Sequence, residues 1–452
     1  MKIIVVGMGK VGYTVAEQLV EEAHDVTVVD TDRHALDDAL SSLDVMGIVG
    51  NGASYRVLEE AGIADCDLLI AITGSDEINL LCCLLASKKC AGSTIARVRN
   101  PEYSEELELI KDSLGLSMAV NPDREAAKEI MHILKYPSAM NVESFPKSRM
   151  DLVSFVADKR CSLCGSAIME SFPKLGVKAL ICAVEREDKV TIPDGRFVIE
   201  ENDVVAVLAA PSEVPKFFKK INIPINDVKN TMIVGGGRIA YYLAERLSTQ
   251  KMKATIIEKK EDVAENLSFL LPDANVVCGD GTNSTLLMQE GIQQMNALCC
   301  LTGMDEENIL LSMFAKKIAP KIKTITKVNR VTFQEVIRNM DIGSVIYPKY
   351  MTASSILQYV RAKQNSIGSN VETLYRIIDN KAEALEFNVG EGCVIVNTPL
   401  EILKLKKNVL IGCIKGEGRV FIPNGKDEIH IGDTVIVVTT IPGLSDLDDI
   451  KG

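Results

Sequence analysis

The first half of the chain alternates short apolar runs, rich in β-branched residues, with segments of helical length. Continuous apolar runs separated in this way are typical of strands in a parallel sheet covered by helices on both faces. The runs are Ile3–Val6, Val26–Val29, Val45–Val49, Leu68–Ile72, Thr94–Val98 and the shorter Met118–Val120. Strand and helix alternating to six strands predict a Rossmann-type domain with right-handed crossovers.

The pattern changes after the sixth strand. Residues 123–134 have the spacing of one connecting helix. From about Val142 onward, strand-like runs are separated by turn residues such as Pro193-Asp194-Gly195, which predicts a small α+β module. Its predicted strands are Asp151–Val156, Lys178–Val184, Lys189–Ile192 and Asp203–Leu208. Prolines and a lysine cluster between Pro211 and Asn230 interrupt the apolar pattern and predict a flexible joint.

The whole pattern occurs twice along the chain. The glycine-rich segment after the first strand returns 228 residues later, and other segments return at nearly the same offset. The matching pairs are Gly7–Gly12 with Gly235–Ala240, Asp30 with Glu258, Ile72–Asn79 with Leu301–Asn308, Asn121-Pro122 with Tyr347-Pro348, and Ile192–Gly195 with Ile422–Gly425. Self-similarity at a fixed offset indicates two homologous halves. We therefore predict an α/β protein with two Rossmann-like parallel-sheet domains, each followed by a small α+β module. The predicted bounds are 1–135 and 228–365 for the Rossmann domains and 142–225 and 371–452 for the modules.

The segment Gly7–Gly12 has the spacing Gly-x-Gly-x-x-Gly between a strand and a helix. The first glycine of this pattern allows a tight turn, the second lets a phosphate approach the backbone, and the third packs the helix against the sheet. The helix that begins at Lys10 points its free N–H groups at the anion. Asp30 ends the next strand, where a carboxylate accepts hydrogen bonds from ribose hydroxyls and repels a 2′-phosphate. The first half is therefore predicted to bind NAD(H) or another nucleotide with an unphosphorylated adenosine ribose.

The second loop differs from the first. Ala240 replaces the third glycine, where a methyl group is commonly tolerated. Glu258 keeps the acidic role, although Lys259 and Lys260 beside it weaken the argument against a phosphorylated ribose. Arg238 lies inside the loop, where its guanidinium either reaches a second or third phosphate of ATP or ADP or is solvated on the first helical turn. We therefore hypothesise that the two sites prefer different nucleotides.

Further candidate residues follow the fourth and fifth strands of each half. Thr73-Gly74 and Thr302-Gly303 lie at the carboxyl end of the fourth strand, where the strand order switches and ligands of open α/β sheets bind. Arg97 ends the fifth strand at the same edge, and Lys327 is its counterpart. Either side chain neutralises phosphate charge or pairs with a carboxylate, and we favour the ligand role.

Composition excludes several classes of protein. Fifty basic and 62 acidic residues give a net charge of −12, which lacks the positive footprint of a nucleic-acid-binding protein. No apolar run reaches the roughly 20 residues of a membrane helix, and the first strand is too short for a signal-peptide core. The chain is therefore expected to be cytosolic. The 12 cysteines are expected to be reduced and mostly buried. Cys161 and Cys164 have the spacing of a redox-active pair or of half a zinc site, but no second cysteine pair at ligand spacing follows, and the spacing of the four histidines argues against a structural metal.

The doubled set of motifs resembles the TrkA family of cytosolic potassium-uptake regulators, which are built from tandem RCK (KTN) domains. The resemblance covers nearly all 452 residues. It implies a peripheral subunit at the inner face of the cell membrane that binds NAD(H) and ATP or ADP and gates a membrane potassium-translocating subunit. It also implies a homo-oligomeric ring, a tetramer of chains with two RCK domains each. The positions that match the family's nucleotide site are Gly7, Met8, Gly9, Lys10, Val11, Gly12, Asp30, Thr73, Gly74 and Arg97 in the first half and Gly235, Gly236, Gly237, Arg238, Ile239, Glu258, Thr302, Gly303 and Lys327 in the second.

Two other functions fit part of this pattern. An NAD-dependent oxidoreductase pairs a Rossmann domain with a substrate domain that carries a general acid or base, but here the appended modules are small, duplicated and poor in histidine. His132 and His430 do not occupy matching positions in the two halves, which argues against catalysis. A soluble sensor that acts on a cytosolic partner shares every binding feature of the first hypothesis and stays open.

Overall fold

The computed structural model describes residues 1–89, 92–136, 139–145, 147–223, 228–330, 336–337, 340–366, 371–378, 381–416, 418–441, 443–444 and 446–452. The chain divides into two compact units, and each unit contains residues from both halves of the sequence. The first comprises Met1–Leu134 with Val228–Leu357, and the second comprises Lys135–Asp227 with Gln358–Gly452. The two parallel sheets thus share one unit, and the two antiparallel sheets described below share the other.

The first unit begins with a six-stranded sheet in which every neighbouring pair is parallel, in the order β3-β2-β1-β4-β5-β6. The strands are β1 (Lys2–Val6), β2 (Asp25–Asp30), β3 (Met46–Val49), β4 (Leu68–Ala71), β5 (Ser93–Arg97) and β6 (Met118–Val120). The helices are α1 (Lys10–Glu21), α2 (Arg33–Ser42), α3 (Tyr55–Glu60), α4 (Asp76–Ser87), α5 (Pro101–Ile110) and α6 (Pro122–Lys135). All six predicted strands are confirmed to within one residue at each end. The strand order reverses between β1 and β4, which opens a crevice at their carboxyl ends.

The second parallel sheet, in the order β14-β13-β12-β15-β16-β17, repeats this topology. Its strands are β12 (Asn230–Val234), β13 (Lys253–Glu258), β14 (Asn275–Cys278), β15 (Ala297–Cys300), β16 (Lys323–Lys327) and β17 (Ser344–Ile346). Its helices are α9 (Arg238–Thr249), α10 (Glu261–Leu270), α11 (Ser284–Gln289), α12 (Asp305–Ile318) and α13 (Pro348–Ser366). The prediction of two Rossmann-like domains is therefore confirmed.

Helix α6 follows the first parallel sheet and packs against the second. Ile130 and Leu134 of α6 are buried in one hydrophobic cluster with Leu243 and Leu247 of α9. Each such side chain contributes about 1.5–3 kcal/mol when it is fully buried. This shared cluster joins the two Rossmann domains in one unit.

The second unit contains two five-stranded antiparallel sheets, in the orders β10-β9-β11-β8-β7 and β18-β19-β22-β20-β21. The first module consists of β7 (Asn141–Phe145), β8 (Met150–Val156), α7 (Ile168–Leu175), β9 (Ala179–Arg186), β10 (Lys189–Thr191), β11 (Val204–Ala209) and α8 (Val214–Lys220). The second consists of β18 (Val371–Ile377), β19 (Ala382–Asn388), β20 (Val409–Gly416), β21 (Arg419–Phe421) and β22 (Thr434–Thr439). The two modules share a hydrophobic cluster that includes Cys182 of β9 and Cys413 of β20.

The predicted flexible joint between Pro211 and Asn230 is wrong over the residues that form α8. Phe217 and Phe218 of this helix are buried, and both rings pack edge-on against Phe155, with centroids 5.8 and 5.3 Å away. Pro215 lies in the first turn of the helix, where proline is tolerated because the first N–H groups have no intrahelical partner. Residues 224–227, which include Pro224, lie outside the described residues.

Candidate nucleotide sites

The turn between β1 and α1 requires glycine at two of its three glycine positions. Gly7 has a φ of +101°, and a Cβ there would lie 2.8 Å from the backbone nitrogen of Thr73. A Cβ at Gly12 would lie 1.8 Å from the carbonyl oxygen of Gly7. At Gly9, by contrast, a Cβ would meet nothing within 4 Å, and no side chain caps the N-terminus of α1. The turn therefore leaves an open surface at a helix N-terminus, where backbone N–H groups attract anions.

The carboxylate of Asp30 holds this turn against the end of β2. It accepts hydrogen bonds from the backbone N–H of Met8 and, over 2.8 Å, from that of Asp32. Such charge-assisted bonds are stronger than bonds between neutral groups. Each carboxylate oxygen has two lone pairs, so acceptor capacity remains for hydroxyl groups.

Asn79 is fully buried and ties the ends of β4 and β5 together, a role that sequence reasoning missed. Its Oδ1 accepts hydrogen bonds from the N–H of Thr73 over 2.7 Å and from its hydroxyl over 2.8 Å. Its Nδ2 donates to the carbonyl oxygen of Arg97 over 2.9 Å. The recurrence of this residue as Asn308 was the sequence signal that could have shown its role.

Arg97 extends from the end of β5 to the same turn. Its Nη2 donates to the carbonyl oxygen of Thr73, while its Nε is buried without a hydrogen-bond partner in the described part of the chain. Burial is the main cause, ahead of the neighbouring Arg99, that lowers the pKa of Arg97 to about 10. The guanidinium therefore stays charged at neutral pH.

Residues of the first glycine turn, together with Asp30, Thr73 and Arg97, line one cavity of about 700 Å³. That volume is within the range of about 300–1,000 Å³ for small-molecule and cofactor sites. The predicted residues that line it are Gly7, Met8, Gly9, Lys10, Val11, Asp30, Thr73, Gly74 and Arg97. Gly12 instead packs against Gly7. The cavity has open space beside Gly9 and Gly74, and it presents the carboxylate of Asp30 and the guanidinium of Arg97. It therefore fits a nucleotide in shape and in charge.

The second turn repeats this geometry. Gly235 has a φ of +100°, and a Cβ there would lie 2.9 Å from the backbone nitrogen of Thr302. Glu258 accepts a hydrogen bond from the N–H of Gly236 over 2.6 Å, as Asp30 does from the N–H of Met8. Space beside Gly237 and Gly303 is open, since a Cβ at either residue would meet nothing within 4 Å.

The second site also keeps the buried asparagine. Asn308 accepts from the N–H of Thr302 over 2.9 Å and donates to the carbonyl oxygen of Lys327 over 3.0 Å. Lys327 itself donates to the carbonyl oxygen of Leu301 over 3.0 Å. Ile239 is buried in the hydrophobic cluster of this domain. Its side chain therefore supports the turn by packing.

Lys259, beside Glu258, forms an ion pair with another residue of the same edge. Its Nζ lies 2.7 Å from Oδ2 of Asp280. The hydrogen bond from Lys259 is the main cause that holds the pKa of the Asp280 carboxyl well below its usual range. One of the two positive charges beside Glu258, that of Lys259, is thus already paired.

Arg238 pairs with an acidic side chain, a contact that the sequence did not indicate. Its Nε donates to Oδ2 of Asp123 over 2.7 Å. Asp123 is the second residue of α6, so this ion pair joins the first Rossmann domain to the phosphate turn of the second.

Two further features concern metals and membranes. In the described residues, no group of three His, Cys, Asp or Glu side chains could hold a metal ion. Cys161 is buried, and burial is the main cause that raises the pKa of the partly buried Cys164 to about 11, so its thiol is protonated at neutral pH. None of the described helices is long and apolar enough to cross a membrane.

Family models match both halves of the chain. The TrkA-N domain model matches residues 3–122 and 231–348, and the TrkA-C domain model matches residues 152–222 and 384–452. The chain belongs to the TrkA family. This result confirms the family that the motifs resemble.

Two relatives from the TrkA family match this chain over nearly its whole length. The Trk system potassium uptake protein TrkA of Haemophilus influenzae is 31% identical, covering 97% of this chain and 95% of its own. TrkA homolog 1 of Methanosarcina mazei is 29% identical and covers 99% of both chains.

Solved structures with the same fold come from a channel protein. The GsuK channel superposes with a TM-score of 0.65 at 18% identity, covering 97% of this chain and 76% of that chain. The GsuK channel bound to NAD gives a TM-score of 0.64 at the same identity and coverage. At 18% identity the likeness establishes the fold alone.

Proposed function

We propose that this TrkA family member is the nucleotide-binding regulatory subunit of a potassium uptake system. One observation carries the proposal. Each half has an open glycine turn, a carboxylate that holds the turn, and a buried asparagine that joins the fourth and fifth strands. The two relatives described above are named as potassium uptake proteins, and neither is named as an oxidoreductase. We therefore assign no catalytic role.

The residues of both sites fit NAD(H). Asp30 and Glu258 would accept hydrogen bonds from ribose hydroxyls, and the N-termini of α1 and α9 would face the pyrophosphate. A channel of the same fold has been solved with NAD bound. We assign nucleotide binding to the positions predicted from the sequence, with Gly12 and Ile239 acting through packing.

ATP or ADP would occupy the same turns. Their phosphates carry more negative charge than the pyrophosphate of NAD(H), so they need more positive charge nearby. Arg97 at the first site and Lys327 at the second lie at the corresponding strand ends. Both side chains donate to backbone carbonyl groups at the end of the fourth strand, and Arg97 also lines the first cavity.

Regulation requires contact with a membrane potassium-translocating subunit, so we propose that the chain acts as a peripheral subunit at the inner face of the membrane. We further propose a homo-oligomeric ring, a tetramer of these two-RCK chains. Exposed apolar residues at equivalent positions of the repeat support self-association: Leu81 of α4 is 44% exposed and Leu310 of α12 is 66% exposed. Met313 of α12 is 47% exposed and extends the apolar surface of that helix. A second copy of the chain would cover these side chains.

Gating would follow from a population shift. A nucleotide shifts the assembly between two conformations only as far as its affinities for them differ. Because Asn79 and Asn308 couple the fourth strand to the fifth, a ligand at either turn also acts on the loop after the fifth strand.

Potassium flux tests this function. The chain would be reconstituted into liposomes with its candidate membrane subunit, and flux would be measured with NADH, NAD⁺, ATP and ADP added separately. We expect at least one nucleotide to change the flux, and an Asp30→Ala, Glu258→Ala double variant to respond much less. Flux that no nucleotide changes, in a pair that binds nucleotide, would contradict the regulatory role.

A further inference from the structure

Residues from both phosphate turns line one further cavity of the first unit, of about 430 Å³. Lys10 at the start of α1 and Arg238 at the start of α9 both line it. So do Asp123 and Lys349, the second residues of α6 and α13. In the repeat, Lys10 corresponds to Arg238, and Asp123 corresponds to Lys349. The cavity is therefore bounded by two equivalent pairs of residues.

These pairs differ in charge. Arg238 is neutralised by Asp123, with Nε and Oδ2 2.7 Å apart, and we call this pair the arginine–aspartate corner. The equivalent pair, Lys10 with Lys349, consists of two cations, and we call it the lysine corner. Burial, and to a smaller extent Lys10, lowers the pKa of Lys349, while Glu17 opposes this effect. Among the described residues, neither lysine has an acidic side chain within the 4.0 Å of an ion pair.

The lysine corner is continuous with the first nucleotide cavity. Lys10, Val11 and Arg97 line both cavities. The Nε of Arg97 is a buried donor without a partner in the described part of the chain, as noted above. Buried donors of this kind are normally satisfied, so a missing acceptor such as a phosphate oxygen is indicated here.

The acidic residues Asp305 and Glu306 on the rest of the cavity wall already have hydrogen-bond or ion-pair partners. Asp305 accepts hydrogen bonds from the backbone N–H groups of Asn329 and Arg330, each over 2.9 Å. Glu306 pairs with the Arg330 guanidinium at 3.4 Å. The backbone bonds leave the negative charge of Asp305 in place on the side of the second domain, so the positive charge that no carboxylate pairs with lies toward the first site.

We propose that Asp123 and Lys349 give the two nucleotide sites opposite preferences for phosphate charge. The lysine corner and Arg97 receive the terminal phosphates of a nucleotide bound at the first site, so this site favours ATP over ADP. At the second site, Asp123 forms an ion pair with Arg238 and repels additional phosphate groups, so this site favours a less charged nucleotide such as NAD(H). The proposal rests on the nucleotide-binding function proposed above, and it reverses the preference that Arg238 indicates when the sequence is read alone.

Isothermal titration calorimetry of the full chain, with ATP and ADP as probes, tests this. A Glu258→Ala background reports the first site, and an Asp30→Ala background reports the second. In the first background, Lys349→Asp is expected to weaken ATP binding about tenfold or more and ADP binding much less, because a charge-assisted contact is replaced by repulsion. In the second background, Asp123→Lys is expected to raise the ATP-to-ADP affinity ratio by a similar factor.

The controls separate charge from folding. Lys349→Arg keeps the positive charge and should leave the ATP-to-ADP affinity ratio unchanged. Lys189→Asp reverses an exposed charge on β10, in the second unit, and should also leave this ratio unchanged. Melting temperatures identify variants that fail to fold, in which case Lys349→Gln and Asp123→Asn replace them.

An ATP-to-ADP ratio that is unchanged in the Lys349 and Asp123 variants, with binding intact, would overturn this inference and leave the proposed function standing. Failure of the unsubstituted chain to bind any nucleotide would instead contradict the proposed function itself.

Discussion

Compared with the first Rossmann domain, the second keeps most of the residues that shape its phosphate turn, with Ala240 in place of Gly12 as the exception, and changes several residues that carry charge around it. The retained pairs are Gly7 with Gly235, Asp30 with Glu258, and Asn79 with Asn308. The altered pairs are Lys10 with Arg238, Arg97 with Lys327, and Asp123 with Lys349. A positive φ or a fully bonded buried amide admits few residue types, whereas a half-exposed charge can change without affecting the fold. Of the altered pairs, only Asp123 with Lys349 reverses the sign of the charge, so the electrostatic difference between the two sites is concentrated there.

The largest expected effect concerns the carboxylates that hold the turns. Asp30→Ala is expected to abolish NADH binding at the first site, because it removes both the ribose acceptor and the bond to the N–H of Met8. Calorimetry should then show one NADH site in place of two, and Glu258→Ala should remove the other. Unchanged binding by Asp30→Ala would refute the assignment of the first site.

Removing the buried asparagines should affect both domains equally. Asn79→Ala leaves the N–H of Thr73 and the carbonyl of Arg97 without their partner, and we expect a loss of about 2–4 kcal/mol in the free energy of unfolding. Asn308→Ala should cost the same within about 1 kcal/mol. Urea unfolding followed by circular dichroism measures both, with the exposed Asn266→Ala on α10 as a control. Clearly unequal losses would show that the two turns are held differently.

The third glycine distinguishes the two turns. Gly12→Ala would place a Cβ 1.8 Å from the carbonyl oxygen of Gly7, so we expect a destabilisation of about 1–3 kcal/mol. Ala240→Gly should cost only about 1 kcal/mol, from the flexibility of glycine in a helix. The same unfolding measurement compares them. Full stability of Gly12→Ala would show that the first turn accommodates a methyl group as the second does.

The smallest effect is expected from the ion pair between Lys259 and Asp280, whose counterparts in the first domain are Thr31 and Asn51. The folded-state pKa of Asp280 is lowered, so its contribution is present above the unfolded pKa and is lost as the pH falls. Because the pair is exposed, Asp280→Asn should cost less than about 1 kcal/mol at pH 7. The difference in melting temperature from the unsubstituted chain should shrink as the pH falls from 6 toward 3. A difference that does not depend on pH would contradict the electrostatic origin.

Much of the fold could be predicted because its signals are local. The six strands of the first domain follow from apolar runs, and the two phosphate turns follow from glycine spacing. Helix α8, which lies within the predicted joint, could not be predicted in this way. The burial of Phe217 and Phe218 depends on contacts with β8, a strand far from them along the chain. Asn79 could have been found from its recurrence as Asn308, but its hydrogen bonds to two strand ends are visible only in three dimensions.

The amino-acid sequence by itself determined the repeat, the two parallel sheets, the turns and the acidic residues at the ends of β2 and β13. Each of these depends on the types and the order of a few consecutive residues. Only the tertiary structure decided that like domains pair with like, that α6 packs against the second Rossmann domain, and that Arg238 is neutralised by Asp123. Residues far apart in the chain meet only when apolar surfaces of two domains are buried together, and the charges near each nucleotide site are set by that packing.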